Sequence, residues 1–517
     1  MEKDITLLAS EASTTLCEVS KKQKIAIYPY GKVGRTLEDE LNNKSVSADL
    51  LVDNGVCDYN NNVISFSEVD DPKQYVWAIA TLSRVLYSDI KAQLIDLGCS
   101  KENIFDVCKH EEEFNEIVAS YDELEKTYER RIDEIRASGR KKIRFGVYLM
   151  YAAEYGGQGL IKKMSQIPEQ WTYKIVVVPD KWRGEQFKRE HYDRTKQFVI
   201  ETVGVEYMLD GYDFENDKAI DHSELFDIVY CDNCYDDSAE HVHSIEYLSE
   251  KVLPIFVSYG YDASHYYNLF RLCNKELNYV WKYFIDTQYA LDDCKKYQLI
   301  KGRNAVLCGY SKMDRLYDFL NEGNQRKNKK KRILIASHHT VDNKNLPLSN
   351  FLKYAEYFKN LPKKFPDVQF IFRPHPVLFI TLINGGIWSE IEVKNYLKEL
   401  NDNGIIYSFE GDYLRLFSEC DAMINDCGSF TIEWLYTGKP GCFMYNENLK
   451  PKQLTKIMIK AISAHDIAKR EEDIDSFIQK IVTDNYEVSI PKWVKDEVMI
   501  NYPDVSSKIL KEIDILR

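Results

Sequence analysis

Residues 421–445 read DAMINDCGSFTIEWLYTGKPGCFMY. Asp421–Asp426 has the character of a short buried strand, and Cys427-Gly428-Ser429 that of a turn. Phe430–Tyr436 has helical spacing, and Gly438-Lys439-Pro440-Gly441 is a second turn before the apolar CFMY. A strand, a helix and a strand in so short a span argue for a parallel α/β unit.

The same alternation continues outward. Upstream, ILIAS from Ile333 is a strand, 350–361 a helix, and VQFIF (368–372) a strand running directly into Arg373-Pro374-His375-Pro376. GIIYSF (404–409) is another strand and DYLRLFSEC a helix. Helical stretches follow near 452–464, 473–482 and 505–516. A comparable unit begins at Ile143 with IRFGVYLMY and the glycine loop Glu154–Gly159, with further strands near 173–179, 226–231, 252–258, 279–285 and 304–308. The apolar-free segment 324–332 (NQRKNKKKR) separates the two units. Residues 111–142 place Phe114, Ile117, Tyr121, Leu124, Tyr128, Ile132 and Ile135 at spacings of three and four, which predicts one long amphipathic helix. Before it, KIAIY (24–28), LLVDN (50–54) and YVWAIATL (75–82) suggest a small α/β module. Its Gly31 and Gly34 supply only part of a dinucleotide fingerprint, although Asp53 stands where a ribose-binding acid would, so a docking module is the simpler reading.

The expected fold is therefore α/β; two Rossmann-like halves facing an interdomain cleft, preceded by a small Rossmann-like module and a long helix, match a GT-B-like layout, which periodicity by itself does not select. The expected bounds are 1–110 for the module, 111–142 for the helical linker, 143–325 for the N-terminal (acceptor) domain and 326–517 for the C-terminal (donor) domain with its terminal helices.

Composition narrows the function. The chain has 517 residues, too many for one core. With 68 Lys+Arg against 82 Asp+Glu, its net charge of −14 argues against a general nucleic-acid binder. No apolar run is long enough to span a bilayer, and the acidic start Met1-Glu2-Lys3-Asp4 is not a secretory signal, so a cytoplasmic protein is expected. Cys231-x-x-Cys234 is the only close cysteine pair; His241 and His243 follow, but a second CxxC is absent and no metal site is expected there. Tyrosine is in excess, at 36 residues against 23 Phe.

Two segments carry chemistry. Side chains at the carboxyl end of a strand in an open sheet face the ligand crevice. Arg373 there offers a fork for phosphate, His375 a proton or a hydrogen bond, and Pro374 and Pro376 restrict the backbone. After Asp426, the N–H groups of Gly428, Ser429 and Phe430 can hold a phosphate oxygen at a helix start, although Ser429 is also a good N-cap. Glu433, one turn on, can accept from ribose hydroxyls.

FIFRPHP (370–376), the 421–445 segment and CGYSKMDRL (308–316) together resemble the CDP-glycerol glycerophosphotransferases of teichoic-acid and capsule synthesis, over about 143–490. The resemblance implies that Arg373 and His375 contact the pyrophosphate, His375 stabilising the leaving nucleoside monophosphate. It implies that Ser429 and Thr431 hold phosphate or ribose, Glu433 the ribose, and that Gly309, Lys312 and Asp314 lie at the cleft hinge. Glu433 stands where the family usually has Asp, and Gly428 where it usually has Ser. The W-H-G histidine proposed as the family's general base is replaced by Tyr259 in Val257-Ser258-Tyr259-Gly260-Tyr261-Asp262. A tyrosine of ordinary pKa about 10 is a poor base at neutral pH. Asp262 and His265 are the alternative bases, and Tyr259, Tyr261, Tyr266 and Tyr267 the candidates for acceptor recognition.

The implied reaction moves a polyol phosphate from a CDP-alcohol to a polyol-phosphate, sugar or lipid-linked acceptor, without a required cofactor or metal. A nucleotide-sugar glycosyltransferase and a non-catalytic nucleotide-binding scaffold remain alternatives on the same fold. The basic residues Arg326, Lys327 and Lys329–Arg332 either attract the inner membrane face or form a solvated linker.

Overall fold

The apolar runs at the head of each α/β repeat become strands of three separate parallel sheets in the computed structural model, which describes residues 4–54, 62–152, 155–182, 184–322, 330–341, 343, 346–409, 413–486 and 489–517. The first sheet comprises β1 (Lys24–Tyr28), β2 (Leu50–Val52), β3 (Val63–Ile64), β4 (Tyr75–Ile79) and β5 (Ile104–Asp106), in the order β3-β2-β1-β4-β5. It belongs to a compact unit of residues 1–123, joined by 269–278 and 297–300. Gly31 precedes the helix Lys32–Asn43 and Gly34 lies in its first turn. The backbone N–H of Asp53 donates to Ile64.

The second unit contains the rest of the chain. Its first sheet uses β6 (Ile143–Leu149), β7 (Trp171–Val177), β8 (Met208–Asp210), then, past the small hairpin β9 (Tyr212–Asp213) and β10 (Lys218–Ala219), β11 (Ile228–Cys231), β12 (Leu253–Val257), β13 (Lys282–Ile285) and β14 (Ala305–Leu307). Its order is β14-β13-β12-β11-β6-β7-β8. The other sheet uses β15 (Lys331–Ala336), β16 (Val368–Phe372), β17 (Ile406–Tyr407), β18 (Ala422–Asn425), β19 (Gly441–Met444) and β20 (Asp466–Ala468), in the order β17-β16-β15-β18-β19-β20. Both are doubly wound Rossmann-like sheets, and the pair is the GT-B-like arrangement.

Both sheets read as nearly continuous apolar strands because helices cover both faces. Ile333 and Ile335 of β15 pack under Phe351, Phe358 and Phe372, while Leu334 and Ala336 face Met423, Phe417 and Trp434. Each fully buried Leu, Ile, Phe or Met among them contributes about 1.5–3 kcal/mol. The long helix runs from His110 to Ala137, with Glu111, Glu112 and Glu113 in its first turn and Arg136 in its last, which suits the helix dipole.

The sequence grouping needs two changes. The terminal helix Val505–Glu512 was expected with the C-terminal domain, yet Val505, Ile509, Leu510 and Ile513 lie in the core of the first half, with Val147, Leu160 and Ile175. The basic segment does not form one linker either: Lys331 and Arg332 open β15 and pair with Asp484 and Glu419 at 2.5 and 2.8 Å. Arg326, Lys327 and Lys329 lie outside the described residues. No described helix is long and apolar enough to cross a membrane, and no described cysteine forms a disulfide.

Candidate functional site

In the β17-β16-β15-β18-β19-β20 sheet the chain winds one way from β15 to β17 and the other way from β18 to β20. The loops leaving β15 and β18 therefore diverge, and a crevice opens beyond their carboxyl ends. Ser337-His338-His339-Thr340 leaves β15 and Asp426-Cys427-Gly428-Ser429 leaves β18. Arg373-Pro374-His375-Pro376 leaves the adjoining β16. Sheet register alone thus brings both sequence-selected segments to one edge.

Asp426 fastens this edge. One carboxylate oxygen accepts the His338 N–H at 2.6 Å and the other the Asn350 N–H at 2.5 Å. Burial pushes its carboxyl up to about 7, against the opposing pull of those amide bonds. With both oxygens spent on backbone, Asp426 positions the β15 loop. The His375 N–H donates to the Ser337 carbonyl at 2.8 Å and the Arg373 N–H to Ile335 at 2.9 Å, so the RPHP turn follows the same loop. The Arg373 guanidinium donates to the Ser408 hydroxyl at 2.9 Å beyond β17. His338, His339 and His375 form one imidazole cluster, with ring centroids 4.2–5.3 Å apart. A pocket of about 270 Å³, lined by Val341, Ser349, Asn350, Lys353 and Asn446, lies along the same edge.

The helix Ser429–Glu433 begins where Gly428 passes against the other half of the unit; a Cβ at Gly428 would stand 2.8 Å from Cβ of Ala263. The Ser429 hydroxyl accepts the Tyr261 N–H at 3.1 Å and donates to Glu433 at 2.5 Å. Thr431 is buried, its hydroxyl bonded to Asn425 at 2.7 Å and to the Cys427 carbonyl at 2.5 Å. The Phe430 ring packs on Tyr413 and Phe417.

Glu433 is 1% exposed and accepts three hydroxyls: Ser429, Tyr310 at 3.1 Å and Tyr413 at 2.8 Å. Lys312 places its ammonium 4.7 Å from the centroid of the Tyr413 ring. Tyr261 and Tyr436 share a 2.7 Å hydrogen bond, and Tyr436 donates on to the Val498 carbonyl. Burial raises the phenols of Tyr261, Tyr310 and Tyr436 well above their ordinary 10, so all three remain neutral donors. Part of the tyrosine excess therefore seals the joint between the two halves. Tyr261, expected among the acceptor-recognising residues, is buried in that joint. Tyr266 and Tyr267 stack edge to face, and the Asn343 amide donates to Tyr267 at 3.2 Å.

Glu433→Gln retains the shape but replaces one acceptor by an amide donor facing a hydroxyl. It is expected to destabilise the second unit by about 1–3 kcal/mol, measured by denaturant unfolding.

The remaining sequence-selected residues lie on the first half. Tyr259 follows β12, and its carbonyl, at 2.6 Å, shares the single Tyr310 hydroxyl proton with Glu433. The Asp262 carbonyl accepts the Thr455 hydroxyl at 2.5 Å, which ties this loop to the donor half. His265 opens the helix His265–Leu272; the neighbouring Asp293 carboxyl is raised by burial and pulled down by His265. Gly309 and Asp314 follow β14 and meet the returning C-terminal chain, Gly309 against the Ile500 carbonyl. Asp314 accepts the N–H groups of Val505 and Ser506 at 3.1 and 2.8 Å, at the start of the terminal helix.

Burial raises the Asp314 carboxyl from 3.8 to about 6. A raised acid binds its proton more tightly folded than unfolded, so stability falls as pH rises from about 4 to about 6. Asp314→Asn is expected to flatten that slope, a component of order 1–3 kcal/mol, in melting curves taken across this range.

The sequence reading passed over His338 and His339. The signal was present: two adjacent histidines of only ten follow directly on an apolar strand, as His375 does. Cys231 and Cys234 are both buried, and the described residues bring no third ligand to them; His243 instead bonds the Ile220 carbonyl at 3.1 Å.

No family profile and no curated protein matches the chain. Solved structures similar to it include a variant of the wall teichoic acid polymerase TagF, at 14% identity and TM-score 0.46, with 84% of this chain and 98% of that one covered. A UDP-N-acetylglucosamine 2-epimerase has 15% identity and TM-score 0.44 over 72% and 95% of the two chains. The UDP-bound MnaA of S. aureus has 11% identity and TM-score 0.44 over 72% and 96%. At these values the similarity concerns fold alone.

Proposed function

We propose that the chain is a transferase that moves a polyol phosphate of the glycerol-phosphate class from a CDP-alcohol to an acceptor hydroxyl and releases CMP, in the synthesis of a cell-surface polymer. The observation that carries this reading is the convergence of Arg373 and His375, after β16, with the backbone-pinned loops after β15 and β18 at the switch point of one Rossmann-like sheet. That place in the fold suits a nucleoside diphosphate. The motif resemblance supplies the CDP-alcohol class.

In the proposed step the acceptor oxygen attacks the β-phosphorus. A new P–O bond forms, the bond from that phosphorus to the bridging oxygen breaks, and CMP leaves with the electron pair. The Arg373 guanidinium meets charge on the phosphoryl oxygens, and His375 serves the departing monophosphate. The acceptor's proton passes to a base on the β12 loop. Asp262 and His265 are its candidates, because the phenol of Tyr259 is intrinsically too weak a base. The buried contacts of Glu433 leave it a ribose partner only if one protein hydroxyl yields its place.

Full-length protein incubated with CDP-glycerol, CDP-ribitol and a set of UDP-sugars tests the reading. CMP released from a CDP-alcohol, faster than any UDP-sugar is consumed, is the expected result. UDP release alone would replace it with nucleotide-sugar transfer. Thermal stabilisation by a nucleotide without any turnover would leave a non-catalytic nucleotide-binding scaffold, and no stabilisation by any nucleotide would remove the donor site.

A further inference from the structure

The nitrogen atoms that His338, His339 and His375 can offer a metal all lie within 4.8 Å of one another, and among the described residues this is the one cluster of three or more such side chains. The rings belong to adjoining strand ends, and their backbones are held independently. Asp426 holds the His338 N–H, and the Ser337 carbonyl accepts the His375 N–H. His338 keeps Nδ1 at 2.9 Å from the Thr340 hydroxyl, and His375 Nδ1 accepts the Val377 N–H at 3.4 Å. An Nδ1–H donated to the Thr340 hydroxyl leaves Nε2 of His338 for a metal, whereas His375 gives up its Val377 contact to reach the metal-binding tautomer.

Three imidazoles at this spacing repel one another when protonated. Neutral imidazoles present lone pairs, which suit Zn²⁺, Co²⁺ or Ni²⁺ and not the oxygen-seeking Mg²⁺. Nitrogens on a tetrahedral zinc stand about 3.4 Å apart, so a modest inward turn of the rings closes the site. Three protein ligands leave a fourth position open, the pattern of reactive zinc sites.

We propose that His338, His339 and His375 bind one divalent transition-metal ion of the Zn²⁺ class, with its open position directed to a diphosphate oxygen of the nucleotide donor. The identity of that fourth ligand rests on the proposed function; the three-histidine site does not. The site departs from the sequence expectation of no required metal.

The test uses full-length protein stripped with a chelator and then titrated with Co²⁺, whose tetrahedral complexes absorb visible light, followed by competition with Zn²⁺. One equivalent of Co²⁺, with visible absorption that Zn²⁺ removes, is expected. His339→Ala and the milder His339→Gln, each checked for folding by melting, should weaken Co²⁺ binding by more than the roughly 10–100-fold that an outer-shell change costs. Absence of saturable Co²⁺ binding, or equal binding by both folded variants, overturns the site. CDP affinity is then measured with and without Zn²⁺, and at least a tenfold gain with the ion is expected. Equal CDP affinity in both states overturns the fourth-ligand assignment and leaves the donor reading standing. Metal binding without any CDP binding overturns the donor reading and supports the site alone. CDP binding that strengthens as pH falls below 6, without Co²⁺ uptake, makes the cluster an anion site and overturns the proposal.

Discussion

Arg373→Ala is expected to lower turnover of a CDP-alcohol by about 10²–10³-fold, the range for loss of one preorganised donor facing transition-state charge. The structure gives a reason to expect precision at this position. The strand β16 delivers the residue to the sheet edge, the Ile335 carbonyl holds its backbone, and Ser408 takes one guanidinium nitrogen. Arg373→Lys keeps the charge but loses the planar fork, and should recover only part of the rate. The hydrogen bond to the Ser408 hydroxyl contributes of order 1 kcal/mol to stability. Turnover and thermal melting measured on the same preparation separate the two effects. Full turnover by a folded Arg373→Ala protein removes Arg373 from the chemistry.

Gly309→Ala should produce the largest change in stability, at least about 3 kcal/mol, through combined backbone strain and overpacking. Gly309 has φ +95°, in the region that favours glycine, and a Cβ there would overlap the Ile500 carbonyl oxygen. The chain at Ile500 is returning from the donor half toward the first half. Immediately beyond it, Asn501 donates to the Cys308 carbonyl at 3.1 Å and Asp314 receives the amides of Val505 and Ser506. An alanine would push this crossing segment outward and loosen Val505, Ile509 and Ile513 from the core they share with β6 and β7. Hydrogen exchange localised to residues 500–515, together with a lower melting temperature, is the expected outcome. Unchanged exchange there would show that the crossing tolerates a side chain.

These residues also mark what was legible in the sequence. Apolar runs punctuated by glycine turns are enough to assign parallel α/β sheets, because both faces of each sheet are covered and the strands are short and continuous. The two loops of the site were legible for the same reason: an arginine and a histidine directly after an apolar strand, and a glycine turn directly before a helix, must lie at a carboxyl edge. The partner of a buried acid was not legible. Asp426 and Glu433 look alike to a sequence reader as candidate ligand groups, yet one holds backbone amides and the other three hydroxyls. Those hydroxyls come from residues more than a hundred positions away as well as from nearby ones, and only the closure of two halves brings them together. The terminal helix was misgrouped for the same reason. Its amphipathic spacing shows that one face is buried, without saying against which sheet.

The His338-His339 pair shows a different limit. Adjacent histidines after a strand have no fixed meaning until β16 is known to neighbour β15, which places His375 beside them. Parallel neighbours in these sheets are separated by a helix and a loop, so lateral order is a property of the fold and not of the local pattern.

A crystal structure of the full-length protein with CDP bound tests the central claim most directly, because it locates the diphosphate. The expected density lies beyond the carboxyl ends of β15, β16 and β18, with phosphate oxygens facing Arg373, the His338-His339-His375 cluster and the amides at Gly428 and Ser429. A diphosphate bound at the Gly31–Gly34 turn of the first unit, or a CDP molecule whose phosphates face away from Arg373 and His375, would contradict it.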